Sequence, residues 1–289
     1  MNGIFEKLTE YIQEILLGVI EGNLINMFTD VNEKVGTIAM EVGKTPKGWN
    51  NSIFGMIRSL SDTVIIPIAG IVITFVLCYE LISMIIDKNN LHDIDTWIFF
   101  KWIFKSMIAI YLVTHTFDII MAIFDVAQNM VSSASGVIDV EANIDITTSV
   151  ASMIAELEEK GLAELIGISL ETTVVKFIMD GLSILITVIL YGRMIEIYLV
   201  SSVGPVPLAT MTNREWGQVG NNYLKGILAL GFQGFFIMVC VGIYAVLVKT
   251  ITVTDNIHTS IFMILSYTIL LAFSLFKTGS LAKSVLNAH

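Results

Sequence analysis

Charge is scarce in this chain. Asp, Glu, Lys and Arg make up 15% of its 289 residues, where a soluble domain carries about 25%. Apolar residues reach 55% and the mean hydropathy is +0.78, which excludes the soluble globular class and implies an integral membrane protein. Basic residues are scarcer still: 16 Lys and Arg stand against 26 Asp and Glu, a net charge of −10. That balance argues against nucleic-acid binding, which needs a basic surface. The only two cysteines, Cys78 and Cys240, both lie inside apolar runs. They give no disulfide framework and are expected to be small buried hydrophobes. His92, His115, His258 and His289 are scattered, with no carboxylate or Cys at ligand spacing, so no metal centre is expected. Gly43-Lys44-Thr45 resembles the end of a phosphate-binding loop, but Ile38 stands where that loop needs glycine. No serine sits in a nucleophile elbow. No catalytic residue, metal or cofactor is therefore expected. The start, Met1 to Lys7, lacks a basic stretch, an apolar core and a cleavage site, so no signal peptide is expected.

What is abundant is apolar sequence at membrane length. A bilayer core of about 30 Å needs about 20 helical residues. Five stretches qualify: 63–86, 98–124, 174–200, 226–248 and 257–276. The expected fold class is an all-α integral membrane protein of about five transmembrane helices, with N-terminal amphipathic helices and an extracytoplasmic helical segment. The distribution of Lys and Arg sets the orientation. Lys88, Lys101 and Lys105 flank the first connection, Arg193, Arg214 and Lys225 the third, and Lys277 and Lys283 the tail. The segment between spans two and three holds Lys160 among Asp139, Glu141, Asp145, Glu156, Glu158, Glu159, Glu164 and Glu171. The N-terminus is then expected outside and the C-terminus in the cytoplasm. The organisation that follows is 1–62 extracytoplasmic helices, 63–128 spans one and two, 129–173 an acidic extracytoplasmic segment, 174–276 spans three to five with a cytoplasmic Gly/Pro loop at 201–225, and 277–289 a cytoplasmic tail.

Residues 4–21 form an amphipathic helix with Ile4, Phe5, Leu8, Tyr11, Ile12, Ile15, Leu16 and Val19 on one face and Glu6, Glu10, Glu14 and Glu21 opposite. A helix made to lie on anionic lipid carries Lys or Arg on that second face, so a protein partner or the protein's own bundle suits it better. A second helix bears Leu24, Phe28, Val31, Val35, Ile38 and Val42, and the Gly43–Gly48 stretch ends it. In the acidic segment, Ser132-Ser133-Ala134-Ser135-Gly136 signals a loop. Thr148 is placed as the N-cap of a helix that Gly161 ends.

Span four has small residues on one stripe: Gly231, Gly234, Gly242 and Ala245, with Met238 between them. Such a stripe lets a neighbouring helix approach closely. The neighbour is span three or five of the same chain, or another copy. Ionisable residues inside spans are functional candidates by default. Here Glu80 and Asp118 lie near span ends, within reach of the interface. Lys101 and Lys105, with Trp97 and Trp102, form an interfacial anchor. Lys176 can pair with Asp180 and Arg193 with Glu196.

The most informative segment lies between spans three and four: Gly204-Pro205-Val206-Pro207-Leu208-Ala209-Thr210-Met211, then Thr212-Asn213-Arg214-Glu215-Trp216-Gly217. It is apolar, but two prolines and nearby glycines prevent one continuous helix. Irregular backbone at membrane depth is tolerated only where it is buried in protein or lines a cavity. Together with an amphipathic N-terminus, five spans and a long segment between spans two and three, this loop and its Trp resemble the TrbL-like polytopic inner-membrane subunit of conjugative type IV secretion systems, in the form found in Gram-positive elements. The resemblance implies a membrane channel or scaffold subunit, not an enzyme. It implies cytoplasmic ATPases and an extracytoplasmic protein as partners, and transient contact with a DNA–protein substrate. By the same resemblance Gly204, Pro205, Pro207, Arg214 and Trp216 sit in the loop linked to substrate passage. Larger members of that family carry extended C-terminal domains, and no counterpart is expected in the tail at 277–289. Five spans cannot surround such a substrate, so a homo-oligomer is expected. Two other readings remain: a small-solute or ion transporter, against which stands the lack of a repeated broken helix, and a non-conducting membrane scaffold.

Overall fold

In the computed structural model of the protein, long apolar runs free of internal proline become long helices. It describes residues 2–86, 96–142, 146–251 and 256–288, and for 2–3, 139–142 and 146–149 the backbone alone. The described chain is 92% helical, with no strand among the described residues. The order is α1 (Asn2–Val42), α2 (Pro46–Trp49), α3 (Asn51–Leu60), α4 (Ile66–Ile86), α5 (Trp97–Thr114), α6 (Thr116–Ala142), α7 (Ile146–Leu157), α8 (Leu162–Val203), α9 (Pro205–Ala209), α10 (Gly217–Ile251) and α11 (Ile257–Val285). A π-helical turn, Ser61–Ile65, joins α3 to α4. It precedes Pro67, whose ring clashes with the carbonyl four residues back in a plain α-helix. Five helices among the described residues are long and apolar enough to cross a membrane: Asn51–Ile86, Trp97–Thr114, Leu162–Val203, Gly217–Ile251 and Ile257–Val285. Their outward surfaces are apolar, with Ile71, Phe104, Phe177 and Phe273 all well exposed. The protein is an all-α, multi-pass integral membrane protein.

Several expectations change. The second span ends at Thr114, not Phe124. His115 breaks the helix at φ −110° and ψ 14°. Neither Pro nor Gly is responsible. Hydroxyls compete for the backbone acceptors instead: Thr114 Oγ1 donates to the Ile110 carbonyl at 2.9 Å and Thr116 Oγ1 to that of Leu112 at 2.7 Å. The Ser132–Gly136 loop is not formed, because α6 runs through it. Phe117, Ile120, Phe124, Ala127 and Val131 are buried along one side of that helix, and this packing outweighs weak local propensity. Residues 2–42 form one helix, not two. Gly22-Asn23 does not end it, since the Asn23 side chain donates to Thr172 Oγ1 at 3.2 Å and Thr173 Oγ1 at 3.1 Å on α8. Thr148 does not cap α7, whose backbone is already helical from Ile146, and Cys78 is exposed, not buried. The placement of Lys88, His92, Asp139, Glu141, Asp145 and His289 falls outside the described residues or side chains.

The chain divides into two compact units. One comprises Met1–Val42, Val131–Leu190 and Ile237–Lys277. Its core joins Leu24, Phe28 and Ile38 of α1 to Leu157 of α7, Ile168 of α8, Val241 of α10 and Ile264 of α11. The small residues of α10 pack here against α6, a neighbour the sequence did not suggest: a methyl at Gly242 would lie 3.0 Å from Ile138, and Ala245 and Met238 are buried. Small residues on one stripe let a neighbouring helix approach this closely. Burial is uneven along α1. Ile20, Leu24, Met27 and Phe28 are fully covered, while Ile4, Phe5, Leu8 and Tyr11 are more than half exposed.

The same unit buries charge. Lys34 is 8% exposed, and its ammonium has no hydrogen-bond partner among the described residues. Burial pushes its pKa down from 10.5, opposed by Asp30 and Asp180. Burial pushes the Asp30 carboxyl up, with Lys34 and Lys176 opposing and Asp180 and Glu33 reinforcing. Lys176 and Asp180 do not form the expected ion pair among the described residues; their charges act on Asp30. Two turns or so before Asp180 on α8, Glu171 Oε2 lies 2.6 Å from His258 Nδ1.

The second unit comprises Gly43–Met130, Tyr191–Phe236 and Thr278–His289. Ile57, Phe117, Phe124, Ile197 and Ile227 form one apolar cluster, and Ala69, Ile73, Leu77, Ala109, Val113 and Ala209 another. The 43–50 turn is fastened to α8, where the Tyr198 hydroxyl donates to the Pro46 carbonyl at 2.6 Å and Trp49 stands edge-on to Tyr191. The expected Arg193–Glu196 pair is also redistributed. Arg193, 7% exposed, donates to the Leu230 carbonyl at 3.3 Å, and Glu196 receives Lys283 at 3.2 Å. Asp118 opens α6 and meets Arg58 at 3.0 Å.

Candidate functional site

The site lies within the second unit, where α8 stops. Pro205 and Pro207 have no N–H, so the helical ladder cannot continue through them. The Gly204 amide turns to the Ser201 carbonyl at 3.4 Å, which leaves the Val200 carbonyl without its usual partner four residues on. The Tyr223 hydroxyl of α10 donates to that carbonyl at 2.9 Å. A backbone acceptor freed by the break is thus satisfied by a side chain. Gly204 is required by proximity: a methyl there would lie 2.6 Å from the Tyr223 oxygen and 2.7 Å from Ile120 Cδ1. A methyl at Gly220 would lie 2.7 Å from the Pro207 carbonyl and would also strike Met211.

Pro205 opens the short helix α9 at its first position, where a missing N–H costs nothing. Val206 and Ala209 pack with the α4 and α5 residues Ala69, Ile73 and Val113. After α9 the chain descends through turns, and Asn213 organises them. Its Oδ1 accepts from the amides of Glu215 at 2.8 Å and Trp216 at 3.0 Å. Its Nδ2 donates to Glu80 Oε2 at 3.2 Å. The other Glu80 oxygen accepts from Lys105 Nζ at 2.6 Å. Glu80 is 3% exposed, and both its oxygens are engaged. It therefore does not reach for the interface, and Lys105 is a partner rather than an anchor. Trp102 donates its indole N–H to the Leu77 carbonyl at 2.9 Å.

Trp216 lies flat on two aromatic rings, Phe75 at 5.5 Å and Tyr79 at 5.2 Å. The Tyr79 hydroxyl donates to Glu215 at 3.0 Å. Arg214 is exposed and lines two cavities, one of about 670 Å³ with Glu80, Lys101 and Lys105, the other of about 560 Å³ with Gln218, Asn221 and Lys225. The sequence-designated residues thus differ in surroundings. Gly204 and Pro205 are buried, Pro207 half-buried, Trp216 stacked and Arg214 open to a cavity. Gly231 lies higher on α10, where a methyl would be 3.2 Å from Ala127 of α6, and Gly234 is buried. The structure adds Glu80, Lys105, Asn213 and Tyr223, which were not singled out as a set. The available signal was a lone acid in one span and a lysine at matching depth in the next.

A sequence profile described as TrbL/VirB6 plasmid conjugal transfer like protein matches residues 31–205. The chain belongs to the TrbL/VirB6 conjugal transfer family. Searches of characterised proteins and of solved structures each return no match. Membership makes this protein a membrane subunit of a multi-component conjugal transfer, or type IV secretion, system. The match ends at Pro205, so it takes in the break after α8 but not Arg214 or Trp216. Among the described residues no group of His, Cys, Asp and Glu could hold a metal ion.

Proposed function

We propose that this TrbL/VirB6 protein is a channel subunit, and that the segment from Gly204 to Gly217 is its inner gate or docking loop for the DNA–protein substrate. The observation that carries this reading is irregular backbone between two spanning helices, held by a buried carboxylate that receives one bond from the segment and one from α5. An inert anchor has no use for a broken span whose every freed acceptor must be satisfied again. In this reading Gly204, Pro205 and Pro207 make the break, Trp216 and Asn213 fix its end, and Arg214 meets substrate or the cytoplasmic ATPase. Arg193, Arg214 and Lys225, near the segment in sequence, support a cytoplasmic face for it and an outside N-terminus. Several copies, aided by an extracytoplasmic partner, enclose the passage. The stripe Gly231, Gly234, Gly242 and Ala245 serves packing within the subunit.

The test is a photo-crosslinking residue at Arg214 during active transfer. Crosslinks to the translocating strand or its attached protein are expected. Their absence, with transfer proceeding at the normal rate, would sink the reading. Asn213→Ala removes the pin and is expected to lower transfer at least about tenfold, the equivalent of one lost hydrogen bond to a charged group of about 1.4 kcal/mol, while the protein remains in the membrane. For topology, cysteines at Glu159 and Arg214 in a chain with Cys78 and Cys240 replaced should label from outside and from inside respectively.

A further inference from the structure

The cavity of about 670 Å³ beside the pinned segment has a chemistry that gating does not use. Among the described residues its charged lining is Lys101, Lys105 and Arg214 against Glu80 and Glu215. Both acids are already served by protein donors. Glu80 is held by Lys105 and Asn213, and Glu215 receives the Tyr79 hydroxyl. Lys101 also lines the cavity and has no ion-pair or hydrogen-bond partner among the described residues. An ammonium beside Ser83 and Arg214 is therefore available to an anion. Tyr79, Ser83 and Asn213 add polar groups, and Met84, Ile98 and Phe104 form an apolar flank, with Phe104 66% exposed.

Depth narrows the choice of anion. The cavity is built from the last turns of α4 and the first turns of α5. At 1.5 Å per residue, Lys101 lies about 6 Å into α5 from Trp97, and Glu80 about 9 Å from the end of α4. This is the boundary zone where phosphate groups of a bilayer sit, and Trp97 and Trp102 are the aromatic residues that favour it. We infer that this cavity binds the phosphodiester headgroup of an anionic phospholipid, with Lys101 on the phosphate and the acyl chains along Phe104 and Ile98. Basic pockets between spanning helices recognise lipid headgroups in this way. A nucleic-acid strand would need an unbroken row of cations, whereas here Glu80 and Glu215 interrupt the basic residues and Met84, Ile98 and Phe104 form an apolar flank. The lipid site and the channel role stand or fall separately.

The test uses the full chain in a neutral detergent, with thermal unfolding read against added ligand. Phosphatidylglycerol should raise the midpoint saturably, and phosphatidylcholine at equal concentration should not. Lys101→Gln, an exposed position whose loss strands no partner, should raise the half-saturating concentration about tenfold while leaving the lipid-free midpoint unchanged. Lys47→Gln, on an exposed turn outside the cavity, should leave the response intact. An equal loss in both variants would reduce the effect to general charge attraction and overturn the site. Protection by inorganic phosphate alone, or by a single-stranded oligonucleotide at lower concentration than the lipid, with the same dependence on Lys101, would overturn the lipid assignment.

Discussion

Glu80 and Lys34 are both more than nine-tenths buried, yet their surroundings are opposite in design. Glu80 has two donors for two oxygens, one from a neighbouring helix and one from the irregular segment it restrains. Lys34 has acids nearby but no donor–acceptor contact among the described residues, and burial lowers its proton affinity. A buried charge with complete hydrogen bonding can hold two elements in register. One without it is a cost that the rest of the core must offset. The difference shows which polar residue the fold was built around.

The largest effect should come from breaking the satisfied pair. Lys105→Ala strands Glu80 and is expected to cost about 3 kcal/mol, read as a lowered unfolding midpoint in detergent. Adding Glu80→Leu should return most of that loss. A single variant as stable as the parent would mean that the pair holds nothing. Next, Lys34→Met should stabilise by about 1–2 kcal/mol, since an apolar side chain of similar length replaces an unsatisfied ion. The pH dependence has a defined sign. The folded pKa lies below 10.5, so in that window the unfolded chain binds more protons and stability rises with pH. The Lys34→Met variant should lose that rise on approach to pH 10.5, and an unchanged alkaline limb would contradict the assignment. Asp30 adds a slope of opposite sign above 3.8, where its raised pKa leaves the folded state more protonated. The smallest effect belongs to an exposed pair. Arg58 and Asp118 meet at 3.0 Å but are 46% and 57% exposed, so Arg58→Ala should cost less than about 1 kcal/mol. A larger loss would show that its position over the Phe117 ring, 5.8 Å away, matters more than its charge.

The spans and the break at Gly204 to Pro207 were legible because they rest on local rules: apolar length and the missing proline N–H. The partners were not. Whether Glu80 is solvated or clamped depends on a lysine 25 residues on and an asparagine 133 residues on, and apolar periodicity carries no such information. The Ser132–Gly136 stretch misled because its loop propensity is weak beside the packing of α6. At His115 the helix stops where three consecutive polar residues take up backbone acceptors, a competition that composition does not reveal. The stripe on α10 was readable as a packing face, but its neighbour proved to be α6 because the second span ends ten residues earlier than hydropathy suggested.

The π-helical turn at Ser61–Ile65 has a consequence for how this region can vary. There the Ile66 amide reaches back five residues to Ser61, so the chain contains one residue more than an even helical ladder uses. Each residue of an α-helix advances about 100°, and the apolar stripe of α3 is therefore out of phase with that of α4 by one such step. Deleting any one residue from 61–65 would even the ladder but swing Ile53 and Ile57 away from the cluster formed with Phe117 and Phe124. Exchanging a residue there would leave the phase intact. In this stretch the chain encodes a count rather than an identity, and insertions or deletions should be far more damaging than substitutions.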